Sequence, residues 1–172
     1  MPFENNGSDA GTKDYSPSSN NGTESGGVTW LENGGYEGKG AYDFDGSSGK
    51  IILDSDKIPS DDNMTVSFWV NTSHSPGGSG GADPGVGEYM YWGTNYKPPG
   101  RLISITYANG TVDPTTVRIG FGSYADGGMV GEFDIRNKWA HVVIAYAEPE
   151  VTIYVNGVKG GNYTLNNPIN IV

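Results

Sequence analysis

The chain has 172 residues, of which 35% are hydrophobic and 17% charged, with 28 Gly, 10 Pro and no Cys. That length fits one domain around one modest core. Ten Lys+Arg against twenty Asp+Glu give a formal charge of −10, and without a basic stripe this argues against a nucleic-acid backbone as partner. No apolar run approaches the roughly 20 residues of a membrane-spanning helix. The absence of Cys removes disulfides, thiol nucleophiles, cysteine-ligated zinc and iron–sulfur clusters together.

Residues 1–35 form a loop-rich segment, rich in Gly, Asn and Ser, with aromatic anchors at Phe3, Tyr15 and Trp30. Met1-Pro2-Phe3-Glu4 begins neither a basic nor an apolar signal region, so the expectation is a chain without a signal peptide. Asn-X-Ser/Thr sequons stand at Asn6, Asn21, Asn63, Asn71, Asn109 and Asn162. Such sites are glycan acceptors on the surface of exported proteins, and the expectation is an extracellular or cell-surface glycoprotein.

Beyond this segment the apolar residues recur with period two, the signature of half-buried strands. In Ala41-Tyr42-Asp43-Phe44-Asp45, Tyr42 and Phe44 fall on one face and the aspartates on the other. Gly46-Ser47-Ser48-Gly49 turns the chain into Lys50-Ile51-Ile52-Leu53. Residues 64–70 alternate again, with Met64, Val66, Phe68 and Val70 on one side. Residues 73–87 make a long Gly/Pro/Ser loop, and loops longer than about 12–15 residues are commonly functional. Residues 101–107, 116–121 and 141–146 read as further strands. Val151-Thr152-Ile153-Tyr154-Val155 ends in Asn156-Gly157, a strong hairpin signal. No stretch of eleven residues carries a helical stripe, so the expected fold class is all-β. The architecture is a two-sheet antiparallel sandwich or jelly roll spanning residues 1–172 as one domain.

Four blocks in order resemble laminin-G-like domains of the concanavalin A-like lectin/glucanase superfamily. They are Gly40-Ala41-Tyr42-Asp43-Phe44-Asp45-Gly46, the strand at residues 64–70, Trp139-Ala140-His141-Val142-Val143, and residues 151–157. Lys13-Asp14-Tyr15-Ser16 followed by Asn20-Asn21-Gly22-Thr23 is similar to the family's calcium-bearing loop, with Pro17-Ser18-Ser19 where the family has Gly-Asn. The resemblance implies a calcium site held by Asp14 with Asn21 and Thr23. It also implies a closing strand that the sequence lacks before Val172. A missing strand exposes a sheet edge, and three explanations stand side by side: a chain that is a piece of a longer protein, closure by its own N-terminal residues, or self-assembly by strand addition from another chain.

Glucanases of this superfamily carry catalytic carboxylates in an E-x-D-x-x-E strand, and a retaining glycosidase needs two carboxyls about 5–5.5 Å apart. Glu132-Phe133-Asp134-Ile135-Arg136-Asn137 supplies the first two acids and lacks the last, so no catalytic residue is assigned and an enzyme is not expected. His141 occupies the family's Trp-x-His position and reads as a sheet histidine, while Trp30, Trp69 and Trp139 read as core or sheet-edge packing. Sugar sites combine aromatic platforms with amide and carboxylate groups, a mixture found at Tyr91, Trp92, Asn95 and Tyr96, and again at Tyr124 and Asp126. The expected function is an extracellular non-catalytic domain for glycan recognition or adhesion, with a carbohydrate or glycoprotein surface as partner. The alternative is a structural subunit of an extracellular filament or surface layer, assembled by strand exchange.

Overall fold

A computed structural model describes residues 12–53, 63–72, 87–92, 101–107, 117–122 and 128–165. They belong to two compact units, Met1–Ile58 and Pro59–Val172.

In the first unit, β1 (Thr23–Ser25) pairs with β4 (Lys50–Ile52), and β2 (Val28–Leu31) pairs with β3 (Ala41–Phe44), both antiparallel. Short strands therefore begin inside the segment expected to be loop. The only helical element among the described residues is a single 3-10 turn at Tyr36–Gly38. Trp30 stands opposite Tyr42 in the β2–β3 ladder and meets it edge-on, with ring centroids 4.9 Å apart. The indole lies over Gly40, where a Cβ would run into the ring, so this glycine is required by a close approach. Tyr42 packs as its alternation predicts, but Phe44 does not: it lies at the end of the ladder opposite Val28 and is 47% exposed.

The second unit holds two four-stranded antiparallel sheets. One has the order β12-β11-β10-β5, built from β5 (Asn63–Val70), β10 (Ala140–Ala147), β11 (Glu150–Val155) and β12 (Val158–Thr164). The other runs β6-β7-β8-β9, from β6 (Gly87–Trp92), β7 (Arg101–Tyr107), β8 (Val117–Gly122) and β9 (Gly128–Phe133). The β10 sequence alternates strictly, with Ala140, Val142, Ile144 and Tyr146 buried. Val151, Ile153 and Val155 of β11 do the same, because successive side chains of a strand take opposite faces. Each fully buried aliphatic side chain of this kind contributes about 1.5–3 kcal/mol. The expected hairpin forms as its Asn-Gly pair requires: Asn156 and Gly157 have φ of 51° and 78°, the two positive values of a type I′ turn.

The two sheets meet through their aromatic residues. Phe121 of β8, 1% exposed, packs on Tyr146 of β10 with centroids 5.6 Å apart. The Tyr163 hydroxyl of β12 accepts the Phe121 N–H at 2.7 Å and donates to the Phe121 carbonyl at 2.5 Å. Burial holds this phenol well above the ordinary tyrosine range, against the opposing effect of the Phe121 hydrogen bond. Gly160 of β12 faces the Phe133 ring of β9 with no room for a Cβ. The expected β-sandwich is thus present in this unit. Residues 166–172, which follow β12, lie outside the described residues, and the expectation about a closing strand is not addressed by them.

Replacing Tyr163 by Phe keeps the ring and deletes both hydroxyl bonds, leaving a part-buried N–H and carbonyl to be satisfied otherwise. The expected loss is about 1–3 kcal/mol of unfolding free energy, measured by denaturant titration with the slope unchanged.

Candidate functional site

Three groups of side chains bear on function. The first is the Asp14 loop. The bridge between Thr12 and Gly22 closes residues 12–22 into a ring, and within it the Asp14 carboxylate accepts the Ser16 N–H at 2.9 Å, the Ser16 hydroxyl at 2.7 Å and the Asn20 N–H at 2.9 Å. Asn21 Oδ1 accepts the Asp14 N–H at 2.9 Å. Asp14 and Asn21 are neighbours within the ring, and Thr23 begins β1 immediately after it. The Ser16 backbone N–H is the main cause that holds the Asp14 carboxyl below the usual aspartate range, with the Ser16 hydroxyl and the Asn20 N–H adding to it. Three of its roughly four acceptor positions are thereby used by the loop itself. Among the described residues no three His, Cys, Asp or Glu side chains gather into a metal-binding cluster.

A second aspartate does the same work at Asp45-Gly46-Ser47-Ser48-Gly49. One carboxylate oxygen of Asp45 accepts the N–H groups of Ser47, Ser48 and Gly49 at 2.8–2.9 Å, and the other accepts the Ser48 hydroxyl at 2.9 Å. The Gly49 N–H is the largest of these influences, and together they pull the carboxyl far below its ordinary value. This explains the Phe-Asp-Gly string in the sequence: the aspartate organises a turn and is consumed by it.

The third group lies on the face of β5, β10 and β11 that points away from the core. Register places His141 opposite Trp69, and Val143 between Ser67 and Tyr154. The His141 ring leans on the Trp69 indole with centroids 5.1 Å apart and a 32° tilt, and its Nε2 is hydrogen-bonded to Ser67 Oγ at 2.8 Å. The backbone of His141 is fixed too, since its N–H donates to Asn156 Oδ1 at 2.9 Å and its carbonyl accepts the Asn156 N–H at 2.8 Å. Trp69 is nevertheless 44% exposed. By sequence Trp69 reads as packing and His141 as a sheet histidine; the pairing register that makes them neighbours is not written in either segment alone.

Of the sugar-site residues expected from sequence, two fall within a described strand. Tyr91 and Trp92 end β6, opposite Leu102 and Arg101 of β7; Asn95, Tyr96, Tyr124 and Asp126 lie outside the described residues, as does the loop at 73–86. Of the acidic string, Asp134 forms an exposed ion pair with Lys138 at 2.5 Å, and Glu132 is in β9. Four sequon asparagines, Asn21, Asn63, Asn71 and Asn162, are exposed, while Asn6 and Asn109 lie outside the described residues.

Comparison with known proteins gives two findings. A family model described as the concanavalin A-like lectin/glucanases superfamily matches residues 45–171. Domain 4 of AbnA, a GH43 extracellular arabinanase from Geobacillus stearothermophilus, solved in complex with arabinotriose, is similar in structure with a TM-score of 0.53 and 20% identity. The alignment covers 85% of this chain and 62% of that one. No curated protein matches the chain.

The aspartate turns make the first unit acid-sensitive. Both carboxyls titrate lower in the folded chain than in the unfolded one, so their stabilisation is complete above about pH 4, the unfolded value, and is lost as pH falls below it toward the folded values. Asp45→Asn is expected to lower the melting temperature at pH 7, with the gap to the parent narrowing steadily as the pH falls below about 4, a pattern read by circular-dichroism melts from about pH 7 down to about pH 2.

Proposed function

The chain belongs to the concanavalin A-like lectin/glucanases superfamily, and from that membership we propose that it is a non-catalytic carbohydrate-binding domain of an extracellular protein, serving glycan recognition or adhesion. The family match carries this reading. The likeness to a domain solved with arabinotriose supports it at the level of fold, since fold alone does not decide function. The non-catalytic half of the reading is supported by the acidic string, which has no third acid and whose Asp134 is engaged by Lys138. Exposed sequon asparagines at Asn21, Asn63, Asn71 and Asn162 suit an exported chain.

Calcium belongs to this proposal only through the Asp14 loop, where one carboxylate with most of its acceptor capacity already used is a sparse start for an ion that takes six to eight oxygens. No part of the binding proposal runs through the ion. A calcium-dependent rise in melting temperature that Asp14→Asn abolishes is the outcome that would place it there.

The binding reading is tested by titration calorimetry of the full chain against arabinotriose, xylotriose, cellotriose and mannotriose. Saturable binding of at least one, with the sugar recovered intact, is the expected result. Heat-silent titrations throughout would overturn the reading, and cleaved product would overturn its non-catalytic half.

A further inference from the structure

We propose that the solvent-facing side of β5, β10 and β11 is a sugar-binding platform centred on Trp69, and that it takes a neutral oligosaccharide. The proposal rests on the carbohydrate-binding reading and gives it a site and a ligand class.

The chemistry of a sugar ring sets the requirement. Its C–H faces are apolar and its rim carries hydroxyls, so a receptor needs a flat apolar surface bounded by hydrogen-bonding groups that are not already used. Trp69 offers the surface: it is 44% exposed on a strand whose other face packs inward, and it is held in place by the His141 ring at 5.1 Å. A large aromatic ring immobilised before the ligand arrives loses little further freedom on binding. The rim groups come from the same register. With Nε2 of His141 engaged by Ser67, its Nδ1 has no partner among the described residues. Tyr154 lies in the next row, opposite Val143, and its hydroxyl makes no hydrogen bond among the described residues. Two strand spacings and a two-residue offset put Trp69 and Tyr154 on the order of 12 Å apart, a span suited to several sugar units laid obliquely over the strands.

The charge of the face selects the class of sugar. The chain carries twenty Asp+Glu, yet the outward positions Thr65, Ser67, Trp69, His141, Val143 and Tyr154 hold none. The only carboxylate among the outward ladder positions of β5, β10 and β11 is Glu150, at the far end, where it accepts the Thr164 hydroxyl at 2.6 Å. Lys159 stands opposite Tyr154 as a single cation. Such a surface neither repels a neutral sugar nor supplies the clustered cations that an anionic polysaccharide needs, and the net charge of −10 works against the latter.

Titration of Trp69→Ala, Trp69→Phe and Tyr154→Phe with the trioses above tests the site. The expected outcome is at least tenfold weaker binding for Trp69→Ala, near-parental binding for Trp69→Phe, a few-fold loss for Tyr154→Phe, and melting temperatures that stay close to the parent. Heparin-derived and polygalacturonate oligosaccharides are expected not to compete. Unchanged affinity in Trp69→Ala, with binding lost instead in Trp92→Ala or Tyr96→Ala, would overturn the platform and leave the carbohydrate-binding reading standing. Effective competition by the anionic oligosaccharides would overturn the assignment of ligand class. If Trp69→Ala melts far below the parent, Tyr154→Phe and Trp69→Phe carry the decision: a few-fold loss in a well-folded Tyr154→Phe supports the platform, and parental affinity in both, with binding lost in Trp92→Ala or Tyr96→Ala, would overturn it.

Discussion

The pairing register of β10 is the constraint on which the rest of the second unit depends. Because strand side chains alternate with period two, a slip of one residue would carry Val142, Ile144 and Tyr146 to solvent and bring His141 and Val143 inward. That exchange would trade a core row for a polar one and break the contact between Tyr146 and Phe121. The register is pinned at the end of β10 by the hairpin: Asn156 receives the His141 N–H on its side chain and gives its own N–H to the His141 carbonyl. The positive φ of Asn156 and Gly157 turns the chain tightly enough for that exchange. A turn residue therefore sets which face of the sheet is core and which is surface.

The cross-sheet tie acts on the other side of the same strands. Tyr163 spends its hydroxyl on both backbone groups of Phe121, and it does so beside the place where Gly160 lets β12 pass close to the Phe133 ring. β11 and β12 also slip register between Ile153 and Tyr154. Such bulges re-aim neighbouring side chains, and here the slip leaves Ile153 inward, opposite Gly161, and Tyr154 outward, opposite Lys159. The devices that close the sandwich thus also arrange its outer face.

Much of this was legible because the signals were local. The strict alternation of residues 64–70 and 141–146, and the Asn156-Gly157 turn, each follow from a few adjacent residues, and each strand and the hairpin formed where those residues put them. The strands at Thr23–Ser25 and Val28–Leu31 were not legible, since three or four residues are too few to carry a periodic signal, and they are held by pairing with β4 and β3. Phe44 shows the converse. Its alternation is correct, but it closes a two-stranded ladder at Val28 and stays 47% exposed. The Trp69 platform was invisible for a third reason: Trp69 and His141 are 72 positions apart, and only the register between β5 and β10 makes them neighbours.

Exposed apolar residues are ordinary on protein surfaces, and Leu31, Ile52 and Val158 are examples here. Trp69 differs from them in what surrounds it. Hydrogen bonding of Ser67 to His141 fixes the imidazole, the imidazole supports the indole, and Asn156 fixes the His141 backbone. A side chain that merely failed to find cover would gain nothing from three successive restraints. Ordering groups around an exposed ring costs conformational entropy, a cost the fold does not need to bear for its core, which is complete on the opposite face. The arrangement makes physical sense as preorganisation, in which the sheet meets in advance the cost that a ligand would otherwise meet on binding.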